Sequence, residues 1–382
     1  MSMTEDLPPN PALLPAGLRD LLPPDAETEA SAVEAVMDTF ASHGYQRVKP
    51  PLMEFEDSLL AATGAAMADQ VFRLMDPDTH RMMAVRADMT PQVARIAATR
   101  LAHAPRPLRL SYAGQCLRVR GTQLDPDRQV AQAGLELIGP DSPAADAEVV
   151  AVGAEALAAL GLTRLSFDIT MPPLVPTYLD ESGVPAQTRL LLARALDRKD
   201  AAGVAEHGGA LAGTLTDLLL AAGPADRALA ALVAADLTPG ARALATRLAA
   251  SVAAIQARMP QLKLTVDPVE FRGLKYHTGV CMTVYAPGRH EELGRGGRYI
   301  CGDNEPATGL TIYPDSVLRA APDRQPKLRA YVPEGCNAQA LRAEGYATVA
   351  GLGPAADPTA EARRLGCTHV LIEGALVSLA VE

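Results

Sequence analysis

The feature that most constrains the fold of this chain is a change of hydrophobic period between residues 108 and 139. Two stretches, LRLSYAGQCLRVR and RQVAQAGLELIG, have a strand-like pattern and flank a short loop containing Asp and Pro. Because successive side chains of a β-strand point to opposite faces, this period predicts two strands. The fold therefore contains a β-sheet to which both stretches contribute.

The second of these strands has a polar face. Alternation places the side chains of Gln132, Gly134 and Glu136 on one side of the sheet. The missing side chain of Gly134 then leaves a hollow between an amide and a carboxylate. The alternative is a glycine that marks a β-bulge beside two solvated polar residues, and this strand alone favours that alternative.

Composition and charge restrict the class of function. The 382 residues suffice for two or three domains, and 48% hydrophobic with 21% charged residues is typical of a folded protein. The formal net charge is −10. Nucleic-acid binding requires a basic face that neutralises phosphates, so we expect no nucleic-acid partner, although a local basic patch remains compatible with this charge.

The sequence has no pattern of a membrane or metal protein. No apolar run is long enough to cross a bilayer, and MSMTEDLPPN has acids and prolines where a signal peptide has a basic and then an apolar region. The five cysteines form no CxxC pair and the seven histidines show no HExxH spacing. We expect a cytoplasmic protein with free thiols and without membrane association, metal or cofactor.

Helix signals are clear near the N-terminus. A helix is predicted over residues 25–42, with Gly44 as its C-cap glycine and one apolar stripe consisting of Val33, Val36, Met37 and Phe40. A second helix is predicted near residues 89–102, with Thr90 as N-cap and Pro91 at the first helical position. Between them, the strand YQRVKPPLMEF contains Pro50 and Pro51, which favour a sheet edge or a subunit contact.

The remaining segments predict the domain organisation. Residues 184–258 are rich in Ala and Leu and predict an inserted helical subdomain. After the linker-like DRQPK, residues 328–382 alternate strand-like and helix-like segments, which is typical of a small α/β module. We therefore predict a first domain over residues 1–324 and a second over residues 328–382.

Two glycine-containing segments follow the helical insertion. GRGGRY, residues 294–299, lacks the helix and the Lys-Ser/Thr of a phosphate-binding loop, so a tight turn or close backbone approach explains it better. FRGLKYHTGV, residues 271–280, places three cationic or titratable side chains around two glycines. Taken singly, His277 is compatible with a surface histidine and Asp88 with support of a turn.

Taken together, the motifs are specific. PAGLRDLLP, VKPPLMEF, VRADMTPQVAR, the span 118–139, FRGLKYHTG and GRGGRY occur in the order and at about the spacing of a histidyl-tRNA synthetase catalytic core. The resemblance covers roughly residues 14–320. It implies an α+β fold of the class II aminoacyl-tRNA synthetase type, with an antiparallel sheet flanked by helices, and a dimer formed through the strand around Pro50 and Pro51.

The resemblance also implies a candidate histidine-binding pocket. An amino-acid zwitterion needs an acid for its ammonium group and a guanidinium for its carboxylate. By residue-to-residue match with the synthetases, Asp88 and Thr90 would receive the amino group, and Gln132 and Glu136 would lie on the histidine-binding strand. Arg118 would contact the ATP and carboxylate side, and Arg272 would stabilise negative charge near the carboxylate. Tyr276 and His277 match a pair of tyrosines.

The departures from the synthetase pattern bear on catalysis. Ser316 stands where the arginine of motif 3 belongs, and Arg120 replaces a glutamate of motif 2. Asp125 and Asp127 lie where ATP phosphates would bind, so adenylate formation loses its main electrostatic support. The tail of about 55 residues is also smaller than an anticodon-binding domain. We therefore predict no catalytic residues.

With these departures the chain resembles the regulatory subunits of ATP phosphoribosyltransferase. The resemblance implies a hetero-oligomer, a hetero-octamer, with a short-form catalytic subunit that condenses ATP with phosphoribosyl pyrophosphate in the first step of histidine biosynthesis. It further implies that the subunit is required for that activity and allows feedback inhibition by L-histidine.

Three alternatives stay open at this point. The pocket could be a relic kept for folding, with the effector bound at a subunit interface. The chain could activate an amino acid and transfer it to an acceptor other than tRNA. It could also be a stand-alone histidine sensor or structural dimer without a transferase partner.

Overall fold

The computed structural model describes residues 12–121, 126–270, 276–302, 304–322 and 327–379. The chain divides into two compact units, Met1–Pro322 and Asp323–Glu382. The predicted domain bounds and the bounds of the helical insertion stay predictions. No helix of the described ranges is both long enough and apolar enough to cross a membrane.

The α-helices and strands follow one another along both units. The helices are α1 (Asp25–Ser42), α2 (Glu56–Leu59), α3 (Thr90–Ala98), α4 (Pro143–Ala158), α5 (Leu174–Glu181), α6 (Ala186–Asp197), α7 (Ala201–His207), α8 (Ala212–Ala221), α9 (Ala225–Ala234), α10 (Pro239–Arg258), α11 (Pro314–Ala320), α12 (Gln339–Ala343) and α13 (Pro358–Arg364), with 3₁₀ segments at Ala62–Gln70 and Gly209–Leu211. The strands are β1 (Gln46–Arg47), β2 (Met53–Phe55), β3 (Arg73–Met75), β4 (Met82–Val85), β5 (Leu108–Leu117), β6 (Gln129–Ile138), β7 (Ser166–Thr170), β8 (Gly223–Pro224), β9 (Lys263–Asp267), β10 (His277–Tyr285), β11 (Gly294–Cys301), β12 (Glu305–Ile312), β13 (Arg329–Val332), β14 (Ala347–Ala350), β15 (His369–Ile372) and β16 (Ala375–Ser378).

A nine-stranded sheet organises the first unit. Its strand order is β1-β5-β6-β12-β11-β10-β7-β9-β8, and only the β1–β5 and β7–β9 pairs are parallel. The two strands predicted between residues 108 and 139 are β5 and β6, which pair without a register shift from Leu108 opposite Ile138 to Leu117 opposite Gln129. A separate three-stranded sheet has the order β2-β4-β3.

Helices cover one face of the large sheet. The apolar helix α4 is buried along most of its length and packs against α1, α10 and β12. The core-facing residues Leu135 and Leu137 of β6 alternate with the polar Gln132 and Glu136, which point to the opposite face. The sheet therefore separates an apolar layer from a face that carries polar groups.

The predicted helix over residues 25–42 is confirmed as α1, and Gly44 follows its C-cap with φ +82°, a conformation that favours glycine.

For α3, the predicted N-cap was wrong. Met89 is the N-cap, Thr90 is the first helical residue, and the helix ends at Ala98. The Asp88 carboxylate accepts the Thr90 N–H at 2.8 Å, which leaves the Thr90 hydroxyl for other partners.

Pro50 and Pro51, which favour a sheet edge, lie between β1 and β2, and each of these two strands is at the edge of its sheet.

In the second unit, the predicted alternation of strands and helices is confirmed, with β16 as an additional strand. Its sheet has the order β14-β13-β15-β16, in which only β16 is antiparallel.

A buried ion pair joins the large sheet to the helical layer. Arg298 of β11 lies 2.8 Å, Nε to Oδ1, from Asp146 of α4, and both side chains are buried. The Asp146 carboxylate also accepts the Ser251 hydroxyl of α10 at 2.6 Å, and Arg298 donates to the Ser142 carbonyl at 2.6 Å. Three elements therefore meet at one pair of opposite charges.

We expect Arg298→Met to lower the free energy of unfolding by up to about 3–5 kcal/mol, because it leaves the buried Asp146 carboxylate with only the more distant Arg247, at 4.0 Å, as a cation. Urea denaturation followed by circular dichroism measures the change. The matched control is Arg319→Met, which removes an exposed pair with Glu291 and should change stability little. Equal changes in the two variants would contradict a special role for the buried pair.

Candidate functional site

An acid and an amide are fixed together where α3 begins. The Asp88 carboxylate accepts the Gln132 side-chain N–H at 3.4 Å through Oδ2, and Gln132 Oε1 accepts the Met89 N–H at 3.0 Å. Asp88, Thr90 and Gln132 are all buried. The structure thus brings together three of the residues predicted to receive an amino group and line the pocket.

Glu136 is the centre of a hydroxyl cluster. Its Oε1 accepts from the Thr90 hydroxyl at 3.1 Å and from the Tyr112 hydroxyl at 3.2 Å, and its Oε2 accepts from the Tyr299 hydroxyl at 3.0 Å. Burial raises the pKa of this carboxyl to about 8, although these hydrogen bonds act in the opposite direction. Glu136 is therefore mainly neutral at pH 7.

The hollow predicted beside Gly134 is occupied. A Cβ at residue 134 would lie 2.4 Å from the Tyr112 phenol, which stands directly opposite on β5. The prediction of an open hollow was wrong because Tyr112 fills it. The alternative of a β-bulge was also wrong, since the β5–β6 pairing continues through Gly134 without a shift. The glycine is needed for the close approach of an aromatic ring.

A second glycine makes room for the Glu136 carboxylate. A Cβ at Gly309 of β12 would lie only 1.8 Å from Glu136 Oε2. Gly309 and Glu136 are direct neighbours across the β6–β12 pair. The absent side chain at residue 309 therefore permits the inward orientation of Glu136.

Aromatic residues form one wall of the site. The rings of Tyr276 and Tyr299 meet edge to face with centroids 6.1 Å apart, and the ring of His277 lies 4.8 Å from that of Tyr276. His277 Nδ1 is 3.0 Å from Cys281 Sγ. His277 is half-buried, and burial lowers its pKa to about 3, so this imidazole is neutral near pH 7.

Of the two arginines predicted to contribute to the pocket, the structure describes only Arg118. Arg272 lies outside the described residues. Arg118 follows β5, and its backbone N–H donates to the Arg128 carbonyl at 2.7 Å. Its side-chain Nε is buried and, within the described ranges, has no hydrogen-bond partner.

Two adjoining cavities lie on this face of the sheet. The first has a volume of only about 10 Å³ and is lined by Thr90, Glu136, Tyr276, Tyr299 and Arg295, among others. The second has about 230 Å³ and lies between β7, β10 and β11. The predicted pocket therefore has room for about one water in this conformation, beside a larger polar cavity.

Sequence reasoning missed Tyr112, Tyr299, Thr311 and Arg295. Tyr299 and Arg295 belong to GRGGRY, where alternation along β11 places both on the ligand face. Thr311 bonds the Tyr112 hydroxyl at 2.9 Å, and the role of Tyr112 depends on its register opposite Gly134. The alternation was available in the sequence, whereas the register was not.

The side of the site where the resemblance places ATP is acidic. Asp315, at the start of α11, accepts the Ala131 N–H at 3.2 Å and is paired with Arg19 at 3.3 Å. Arg19 also lies 3.6 Å from Asp127. Burial and then the nearby Asp315 raise the pKa of Glu29, which lines the same cavity of about 50 Å³.

The residue at the motif 3 position is consistent with the acidic character of this side of the site. Ser316 accepts a hydrogen bond from Arg319 at 3.2 Å and supplies no positive charge. Asp125 lies outside the described residues. The described groups around this cavity therefore carry three carboxyl groups and one guanidinium, which is the opposite of a triphosphate clamp.

The comparisons with known proteins agree with this arrangement. The family model "Histidyl-tRNA synthetase" matches residues 17–317. A relative from Paramagnetospirillum magneticum, named ATP phosphoribosyltransferase regulatory subunit, is 58% identical over 97% of this chain and 98% of its own. A relative of the same name from Gluconobacter oxydans is 55% identical over 96% and 97%. The chain belongs to the ATP phosphoribosyltransferase regulatory subunit family.

A solved structure supports the fold of this regulatory subunit. The Bacillus halodurans protein described as an ATP phosphoribosyltransferase regulatory subunit/histidyl-tRNA synthetase superposes with a TM-score of 0.79, at 24% identity, over 94% of this chain and 97% of that one. The predicted class II synthetase-like α+β fold is confirmed. So is the predicted function, a non-catalytic regulatory subunit of ATP phosphoribosyltransferase in the first step of histidine biosynthesis.

Gly309→Ala should destabilise the regulatory subunit by about 1–3 kcal/mol, because the new methyl group collides with the Glu136 carboxylate. Urea denaturation measures the loss. Gly213→Ala is the matched control, since a Cβ on this helical residue meets nothing within 4 Å. A loss in the control as large as that at Gly309 would argue against the collision.

The raised pKa of Glu136 predicts a pH-dependent contribution to stability. Between the unfolded value of 4.5 and the folded value of about 8, only the folded state keeps the proton, so the wild type loses stability as pH rises through this window. Glu136→Gln cannot titrate.

The free energy of unfolding of Glu136→Gln, relative to wild type, should therefore increase by at least about 1 kcal/mol between pH 5 and pH 8. Denaturant titrations at several pH values measure this difference. Glu206→Gln, on the exposed side of α7, is the control. A trend of the same size in the control would attribute the effect to surface charge.

Proposed function

We propose that this regulatory subunit binds L-histidine as an effector on the polar face of the nine-stranded sheet. The observation that carries the proposal is the buried set of complementary groups on this face. Asp88 and Gln132 suit an ammonium group, while Glu136 and Tyr299 suit an imidazole. A relic pocket retained only for folding would not need a buried acid in each of these two places, because each costs desolvation energy.

The same proposal includes a partner. The names of the relatives imply association with an ATP phosphoribosyltransferase catalytic subunit, and we propose a short-form catalytic subunit in a hetero-octamer in the cytoplasm. Self-association as a dimer through the edge strands near Pro50 and Pro51 belongs to this proposal. Its support is the exposed apolar side chain of Leu52 next to Pro51, together with the exposed Met75 and Met82 on the small sheet that contains β2.

The closed pocket suggests how histidine would regulate the complex. A cavity of about 10 Å³ does not accommodate an amino acid, so binding requires a rearrangement of the wall formed by Tyr276 and its neighbours. An effector shifts an equilibrium only through different affinities for two states. We propose that the conformation with the wall opened is the one coupled to the inhibited complex.

The decisive experiment measures phosphoribosyl-ATP formation by the short-form catalytic subunit, alone and with this protein, across a titration of L-histidine. Activation by this protein that histidine then suppresses would support the proposal. An unchanged rate and an unchanged histidine response with the cognate partner would overturn it. A catalytic subunit that is already fully active alone would overturn the activating role.

The Asp88→Asn variant tests inhibition by histidine separately from activation of the catalytic subunit. Losing the charge that faces the effector ammonium should raise the histidine concentration needed for half-inhibition by about tenfold or more, with activation retained. Asp217→Asn, an exposed acid of α8, is the matched control. Unchanged inhibition in Asp88→Asn would place the effector elsewhere, for example at a subunit interface.

A further inference from the structure

Arg295 occupies a particular place on β11. Alternation along this strand directs Arg295 and Tyr299 to the ligand face and Arg298 to the helical layer. The Arg295 side chain lines both the small cavity and the larger one beside it. Among the described residues that line these two cavities, it is the only arginine or lysine.

The present partner of this guanidinium is Glu292. Arg295 Nη2 lies 2.5 Å from Glu292 Oε1, and about a third of each side chain is exposed to solvent. Glu292 precedes β11 and is not part of a strand. Because the pair is only part-buried and Glu292 keeps access to water, a ligand carboxylate that offers the same charge and oxygen atoms can replace it.

The remaining charges of the site call for such a cation. Asp88 and Glu136 are both acids, so together they satisfy an ammonium and an imidazole but not the carboxylate of a zwitterion. Other acids, Asp168 and Glu270, line the larger cavity, and Asp168 accepts the Thr265 hydroxyl at 2.9 Å. Among the described residues that line these two cavities, the Arg295 guanidinium is therefore the group that attracts a ligand carboxylate.

The position also suits the length of an amino acid. Arg295 is paired with Thr311 on β12, and Thr311 is paired with Gly134 on β6, between Gln132 and Glu136. Two strand spacings separate the Arg295 backbone from β6, which is roughly 10 Å. An arginine side chain reaching back over the sheet covers much of this gap, and the ligand covers the rest.

We propose that Arg295 binds the carboxylate of the amino-acid effector and exchanges Glu292 for it when the ligand enters. This inference rests on the proposed histidine site and adds to the guanidinium groups of Arg118 and Arg272 that the family resemblance assigns to the carboxylate side. Bidentate pairing between guanidinium and carboxylate gives the specificity for an acid over its reduced or amide analogues.

If the ligand carboxylate replaces Glu292 on Arg295, the two residues have opposite effects on ligand affinity, which a purely structural ion pair would not produce. Removing Arg295 removes the ligand's partner, whereas removing the charge of Glu292 removes the ligand's competitor. The two variants should therefore shift histidine affinity in opposite directions. If the pair only supports the loop before β11, both variants break it and both should shift affinity in the same direction.

Isothermal titration calorimetry of the full chain tests the proposal with two probes, L-histidine and L-histidinol, in which a hydroxymethyl group replaces the carboxylate. The wild type should prefer L-histidine. Arg295→Met should weaken L-histidine binding by roughly tenfold to a hundredfold and leave L-histidinol nearly unchanged. Glu292→Gln should strengthen L-histidine binding a few-fold. Arg319→Met and Glu291→Gln, which break the exposed neighbouring pair, are the matched controls.

Each outcome has one meaning. If Arg295→Met weakens both probes equally, or if both variants weaken L-histidine, the carboxylate role is overturned while the histidine site stands. If the wild type binds neither probe, the proposed effector site fails, and the inference fails with it. If Arg295→Met does not fold, Arg295→Lys takes its place. The lysine should retain part of the preference for L-histidine, and a full preference equal to wild type would argue against a bidentate contact.

Discussion

The rest of this structure depends on one constraint, which is that the two faces of the central strands lie in different environments. Each of these central strands must contribute alternate residues to an apolar helical layer and to a polar ligand face. In β6, Leu135 and Leu137 face the helices while Glu136 between them faces the site. In β11, Arg298 reaches into the helical layer and Tyr299 into the site. A shift of one residue in either register would exchange these environments.

The cost of burying polar groups explains why the site is so crowded. Glu136 is fully enclosed, and three hydroxyl groups satisfy its oxygens while the carboxyl itself stays mainly protonated at neutral pH. Tyr112 completes this set and fills the space beside Gly134. The site in its empty form is thus stabilised by its own residues, and a ligand has to replace these contacts with equivalent ones.

The sequence predicted the parts of the site that depend on local pattern. Alternation placed Gln132 and Glu136 on one face, and the glycine and apolar spacing predicted α1 with Gly44 beyond its end. It did not predict Tyr112, because that residue enters only through the pairing of β5 with β6, which local spacing does not determine. Threonine commonly caps helices, so the sequence predicts Thr90 as the N-cap of α3, but the buried Glu136 carboxyl accepts its hydroxyl instead. Arg295 lies in the glycine-rich segment GRGGRY, whose glycines predict a tight turn or a close backbone approach and do not predict a ligand contact.

The acidic cavity around Asp315 determines how many substitutions would be needed to make this part of the chain bind a triphosphate. A synthetase that lost only its motif 3 arginine could recover catalysis through one substitution at Ser316. Here Glu29, Asp127 and Asp315 surround the same place, and Arg19 is already paired with two of them. An arginine introduced at residue 316 would add one positive charge next to Asp315, but the three carboxyl groups of the cavity would remain. A triphosphate site at this place would therefore require several coordinated replacements, and Ser316→Arg alone would not create one.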